Sequence, residues 1–155
     1  MNAGNPNTIL LIVHQKKSVS GHIGILLSSL GYNLDKRCPC IGDPLPQNLE
    51  NYAAVVVFGG PMSANNCDME GIKKELDFIP DVLKLKIPFL GLCLGGQLLA
   101  RVLGAKISPH ELGHIESGFT KIYPTKIGKD WFTESDIFYQ WHREGFDVPD
   151  SAQLL

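Results

Sequence analysis

The fold of this chain is decided by residues 87–100, which read IPFLGLCLGGQLLA. The apolar run from Ile87 to Leu92 predicts a buried strand, and the residues from Gln97 to Leu103 predict a helix that follows it at once. Between them stands Cys93, flanked by glycines in the pattern Gly-x-Cys-x-Gly. A nucleophile at a sharp strand-to-helix turn needs small neighbours, because strand and helix approach closely there. The stretch predicts a nucleophile elbow that carries Cys93.

Apolar runs and helical spacing alternate through the first hundred residues. Runs at 8–13 and 53–58 predict strands buried on both faces, and 32–37 predicts an edge strand. Helices are predicted over 21–30, ending at Gly31, and over 70–85, where Pro80 is expected to kink or break the helix. The order β-α-β-β-α-β-α predicts an α/β fold with an open, mostly parallel, doubly wound sheet.

The later residues differ in pattern. Short strands are predicted over 105–108, 118–123 and 137–141, with no convincing helix among them. No linker or internal repeat divides the chain, so one domain over residues 1–155 is predicted. A doubly wound sheet usually finishes with a strand and a covering helix, which are not evident after Trp141.

Composition and charge restrict the classes of function that the protein can have. The chain has 155 residues, 44% of them hydrophobic, and a net charge of −2 with acids and bases mixed, which argues against a nucleic-acid partner. No apolar run is long enough to span a membrane and no secretion signal is evident, so a cytoplasmic location is expected. Cys38 and Cys40 lack zinc-site spacing and are expected to be free loop thiols. No metal or cofactor is predicted.

A second glycine motif, Gly59-Gly60-Pro61, follows the strand at 53–58. Adjacent strand ends in such a sheet face the same crevice. The backbone N–H of Gly60 could therefore approach the carbonyl oxygen that Cys93 attacks, opposite the N–H of Leu94. When the motif is taken alone, an ordinary tight turn is the favoured interpretation.

Together these motifs resemble a known family. Residues 57–65 and 91–100 are similar to the oxyanion strand and nucleophile elbow of class I glutamine amidotransferases, and residues 111–113 to the family's Glu-x-Gly segment. Residues 139–147 resemble a later strand-end motif that lies against the glutamine pocket. The closest similarity is to the stand-alone, GMP-synthase-like branch. The resemblance implies the flavodoxin-like fold of this family.

The resemblance also implies a mechanism without a cofactor. Cys93 would attack the side-chain amide of L-glutamine, with the N–H groups of Gly60 and Leu94 holding the oxyanion. A γ-glutamyl thioester would form and be hydrolysed, releasing ammonia for a separate synthase domain or another ammonia acceptor. The same resemblance assigns contacts with glutamine to the family positions matched by Gly59, Gln97, Trp141 and His142.

The general base is the open question. His14 is expected to be a polar surface residue of a loop, and His22, His110 and His114 to be solvated or peripheral. In the family, the catalytic histidine and glutamate follow later than a motif such as Gln140-Trp141-His142. The pair is therefore expected outside these 155 residues, with the domain incomplete at its C-terminus. The alternative is that His142 and Glu144 form the catalytic pair themselves.

Two other functions share the elbow. One is a cysteine hydrolase of the γ-glutamyl peptidase type, which differs only in its substrate. The other is a catalytically inactive amidotransferase-like domain that acts by binding.

Overall fold

The computed structural model describes residues 6–133 and 136–155, which fall into two compact units divided between Val102 and Leu103. In the first unit, strands and helices alternate along the chain: β1 (Thr8–Ile12), α1 (Gly21–Ser29), β2 (Asn33–Arg37), β3 (Tyr52–Val57), α2 (Glu70–Lys84), β4 (Phe89–Gly91) and α3 (Leu94–Val102). A 3-10 turn at Pro39–Ile41 lies between β2 and β3. This order is the predicted one.

The four strands form one parallel sheet with the spatial order β2-β1-β3-β4. The predicted mostly parallel α/β fold is confirmed, and β2 is the edge strand. β1 is buried from Ile9 to Ile12, because a central parallel strand is covered on both faces. One face, with Leu11 and Val56, packs against Ile23 and Leu27 of α1.

Helix α2 corrects part of one prediction. It runs through Pro80 to Lys84 without interruption, so a break at Pro80 is wrong, whereas a kink there stays a prediction. Proline removes one backbone hydrogen bond from a helix, but the buried face of α2 continues on both sides of it. Ile72, Ile79 and Val82 are all buried, and this packing keeps the last turn helical.

The second unit contains two small antiparallel sheets. Their strands are β5 (Ile107–Pro109), β6 (Glu116–Lys121), β7 (Ile137–His142) and β8 (Glu144–Phe146), with β5 paired to β8 and β6 to β7. The strand β8 was not predicted, since three residues are too few to show alternation. Residues 103–133 and 136–155 contain no α-helix. Among all the residues described, no helix has the length and apolar character needed to cross a membrane.

Candidate active site

Leu92 and Cys93 form the two-residue connection between β4 and α3, and the helix begins directly after the cysteine, at Leu94. Its φ angle is +51°, in the left-handed region that side chains other than glycine rarely adopt. Its side chain is exposed. The pattern predicted a cysteine at a sharp strand-to-helix turn, and the strained backbone and exposed thiol are the geometry of such an elbow.

The glycines of the elbow are required by close backbone contacts. A Cβ atom on Gly91 would lie 2.6 Å from the carbonyl carbon and oxygen of Gly95. A Cβ atom on Gly95 would lie 2.2 Å from the carbonyl oxygen of Val57 in β3. Neither neighbour can move without moving the sheet or the helix. The sequence pattern around Cys93 therefore reflects how tightly α3 approaches β3 and β4.

The sheet register brings the second glycine motif to the elbow. Val57 and Gly91 are partners at the carboxyl ends of β3 and β4, and the Leu92 N–H donates to the Val57 carbonyl at 2.9 Å. A Cβ atom on Gly59 would lie 3.4 Å from Cβ and 3.9 Å from Sγ of Cys93. The open side of Gly59 thus faces the cysteine side chain, and a side chain at this position would contact Cys93.

The start of helix α3 provides a backbone donor beside Cys93. Leu94 is the first residue of α3, so its N–H has no acceptor within the helix, and the positive end of the helix dipole lies beside Cys93. Gln97 lies one turn further on; it is buried, and its backbone N–H donates to the Cys93 carbonyl at 3.0 Å. The Leu94 N–H and the helix dipole suit a reaction in which negative charge develops on an oxygen next to the sulfur.

Behind the Gly59-Gly60 loop lies a buried pair that sequence reasoning missed. His14, two residues after the end of β1, is 1% exposed, and Glu75 of α2 is fully buried. His14 Nε2 lies 3.2 Å from Oε2 of Glu75, and its Nδ1 lies 3.1 Å from the Gly59 carbonyl oxygen. The expectation of a surface histidine is wrong, because bonds to both ring nitrogens make burial possible. The available signal was Glu75, which shares the apolar stripe of Ile72 and Ile79.

Two other cysteines lie near Glu75. Cys38 is buried and Cys40 half-buried, and both are free, as predicted. Burial raises the pKa of the Cys38 thiol. Burial, and secondarily the charge of Glu75, raises the pKa of Cys40 to about 11. Both thiols therefore stay protonated at neutral pH, unlike a cysteine suited to nucleophilic attack.

The remaining predicted site residues belong to the second unit. Trp141 in β7 is 75% exposed, and His142 ends that strand. His142 Nε2 lies 2.9 Å from Oε2 of Glu116, its direct partner across the β6–β7 pair. Glu144 begins β8 opposite Pro109. The carboxylate on the His142 ring is thus that of Glu116, and the predicted pairing of His142 with Glu144 stays a prediction.

The fold and the elbow define an α/β protein that holds a cysteine at a strand–helix turn. Comparison with known proteins supplies the family: the model of class I glutamine amidotransferases matches residues 29–153. The chain belongs to this family.

Similar proteins agree with this assignment. The chain is 30% identical to the glutamine amidotransferase-like protein YfeJ of Salmonella typhimurium over 151 residues, covering 93% of this chain and 63% of YfeJ. It is 38% identical over 120 residues to the GMP synthase of Corynebacterium efficiens, covering 70% of this chain and 21% of that enzyme. The structure of a glutamine amidotransferase from Thermotoga maritima superposes with a TM-score of 0.84 at 31% identity, covering 96% of this chain and 65% of that one. The chain therefore spans just under two thirds of the length of YfeJ and of the Thermotoga protein.

Proposed function

We propose that this chain hydrolyses the side-chain amide of L-glutamine through a thioester on Cys93. The observation that carries the proposal is the position of Cys93 at a positive φ, with its side chain exposed and facing the open side of Gly59. Membership of the amidotransferase family supports glutamine as the substrate.

In the proposed reaction, the Cys93 sulfur attacks the amide carbon and the carbonyl oxygen becomes an oxyanion. The N–H groups of Leu94 and Gly60 donate to that oxygen, and removing one such donor typically lowers kcat by about 10²–10³-fold. The C–N bond then breaks and ammonia leaves with a proton from the general base. Water attacks the γ-glutamyl thioester and releases glutamate, which regenerates the thiol.

Gln97, Trp141 and His142 are proposed as contacts for the glutamine. The position of Gln97 in the first turn of the helix that follows Cys93 supports this role. Trp141 and His142 are proposed from their similarity to the family motif alone.

The general base is proposed to be a histidine oriented by a glutamate. His14 and His22 are the two histidines of the first unit. His14 has both ring nitrogens bonded, and His22 is exposed on α1. In the family this pair follows later than a motif such as Gln140-Trp141-His142, and His142 with Glu144 is the alternative pair. The ammonia acceptor is proposed to be a separate synthase domain, as the names of the GMP synthase relatives suggest.

Glutamine hydrolysis and thioester trapping test the proposal. Incubation with L-glutamine and hydroxylamine should yield γ-glutamyl hydroxamate, and Cys93→Ala should abolish it, whereas Cys67→Ala, which removes another exposed thiol, should not. Hydrolysis of a γ-glutamyl dipeptide in preference to glutamine would favour the peptidase alternative. Glutamine binding without any trapped product would favour the inactive binding domain.

A further inference from the structure

The pair formed by His14 and Glu75 contacts the loop beside Cys93 on the side away from solvent. The Phe58 N–H donates to the Ile12 carbonyl at 2.9 Å, so the Gly59-Gly60 loop leaves β3 next to the residues that follow β1. A Cβ atom on Gly60 would lie 2.7 Å from Cβ and Cγ of His14. Since Gly59 also faces the Cys93 side chain, the loop lies between the imidazole and the cysteine.

The bond to Gly59 determines where the imidazole carries its proton. A carbonyl oxygen only accepts, so Nδ1 of His14 must donate to it. Nε2 then bonds Glu75 in two ways: a charged imidazolium donates to a carboxylate, or a neutral imidazole accepts from a carboxylic acid. In both cases Glu75 keeps the Nδ1 proton directed at Gly59. The other Glu75 oxygen, Oε1, is buried without a hydrogen-bond partner in the part of the chain described, so His14 is what holds this carboxyl group.

The carbonyl of Gly59 and the N–H of Gly60 belong to the same peptide unit. In a planar trans peptide these two groups point in opposite directions. Holding the carbonyl toward His14 therefore turns the Gly60 N–H away from His14. Without that bond the loop could rotate this peptide, because both of its residues are glycines and have wide backbone freedom.

We propose that His14, held by Glu75, is a positioning residue that fixes the Gly59–Gly60 peptide so that the Gly60 N–H faces the oxyanion formed at Cys93. This inference rests on the proposed glutamine hydrolysis. His14 touches neither the substrate nor the reacting atoms in this role. Its contribution is to the orientation of one donor, and a small misplacement of a catalytic group can lower the rate by about 10²-fold.

Two substitutions of the same residue separate positioning from packing. The amide nitrogen of asparagine reaches the place of Nδ1, and that of glutamine reaches the place of Nε2. H14N therefore keeps a donor for Gly59, whereas H14Q keeps only the contact with Glu75. We expect H14Q to lower kcat for L-glutamine by about 10–100-fold with little change in KM, and H14N to retain at least about tenfold more kcat than H14Q.

Alkylation of Cys93 by iodoacetamide provides an internal control, because displacement of iodide at a saturated carbon creates no oxyanion. Its rate, followed on the Cys93 peptide by mass spectrometry, should be the same in wild type, H14N and H14Q. H22Q, a matched change at an exposed histidine of α1, should leave kcat unchanged. Equal kcat values for H14N and H14Q, in folded proteins with equal alkylation rates, would overturn the positioning role.

A second pair of variants covers the case in which the His14 variants do not fold. In E75Q, the new amide N–H can donate to Nε2 of His14 and so keep the imidazole proton on Nδ1. In E75L, no hydrogen bond to Nε2 determines which ring nitrogen carries the proton. The kcat of E75Q should exceed that of E75L severalfold. Equal values would contradict the proposal.

The Gly60 amide resonance in protein labelled with ¹⁵N-glycine reports the orientation independently of activity. It should shift in H14Q and stay near its wild-type position in H14N. If it does not move in H14Q, His14 does not hold the loop. If wild type fails to hydrolyse glutamine while this resonance behaves as expected, the proposed function is lost but the orientation of the loop by His14 stands.

Discussion

The Cα of Gly95 in α3 faces the carbonyl oxygen of Val57 in β3 so closely that a Cβ atom on Gly95 would lie 2.2 Å from it. This contact sets the distance between the helix and the sheet at the elbow. The Val57 carbonyl oxygen belongs to the backbone of a buried strand, so it cannot move aside by a change of side-chain rotamer. The elbow is therefore sensitive to a single methyl group.

G95A should lower the free energy of unfolding by about 1–3 kcal/mol, the usual cost of forcing an extra group into a packed interior. Urea titration followed by circular dichroism measures this change. The adjacent G96A is the matched control, because a Cβ atom there would lie 3.4 Å from its nearest neighbour and alanine favours the helix. Equal stability of the two variants would contradict the assigned contact.

The backbone strain at Cys93 predicts that glycine at this position gives a more stable protein than alanine. C93G and C93A both remove the thiol, but only glycine adopts the φ of +51° without penalty. C93G should be more stable than C93A by about 1 kcal/mol, the order of the cost of a left-handed residue with a side chain. Thermal and urea unfolding of the two variants decide this. If C93A is the more stable of the two, the elbow is not strained.

Alkaline pH should destabilise the first unit through Cys40. Burial and the charge of Glu75 raise the pKa of this thiol from a usual value of 9.0 to about 11. The folded state therefore favours the protonated thiol, and this stabilisation is present below pH 9 and is lost as the pH rises toward 11.

The urea midpoint measured from pH 8 to pH 11 tests this expectation. It should fall more steeply in wild type than in C40A, which has no thiol to ionise. C67A, in which an exposed thiol is removed, is the control and should follow wild type. Parallel curves for wild type and C40A would show that the environment of Cys40 is not as described.

His142 should act on substrate binding rather than as the general base. Its Nε2 is bonded to Glu116 across the β6–β7 pair. H142N is therefore expected to raise KM for L-glutamine while lowering kcat by less than about tenfold. Steady-state kinetics of the full-length protein with L-glutamine measure both kcat and KM.

Substitutions at the two nearby carboxylates sharpen this test. E116Q should reproduce part of the KM effect, because it weakens the contact that orients the ring. E144Q should change neither constant strongly. A loss of kcat of about 10³-fold or more in both H142N and E144Q would instead identify these residues as the catalytic pair.

The sheet and the elbow were accessible from sequence because their signals are local. Continuous apolar runs mark β1 and β3, and a glycine pattern marks the turn at Cys93. Pro80 shows the limit of such reasoning, since the buried face of α2 outweighs the local preference of one proline. The strand β8 shows another limit, because three residues acquire strand structure only by pairing with β5.

By itself, the sequence determined the parallel α/β architecture and the place of Cys93. Buried strands require apolar residues, and the close approach of helix and sheet requires glycines, so both features appear in the local sequence. The tertiary structure alone decided that His14 is buried and bonded to both Glu75 and Gly59. These three residues are separated by 61 and 45 positions in the chain, and only the sheet order and the packing of α2 bring them together. A histidine after a strand has the same local sequence whether water or a carboxylate surrounds it, so its role depends on contacts that no local pattern records.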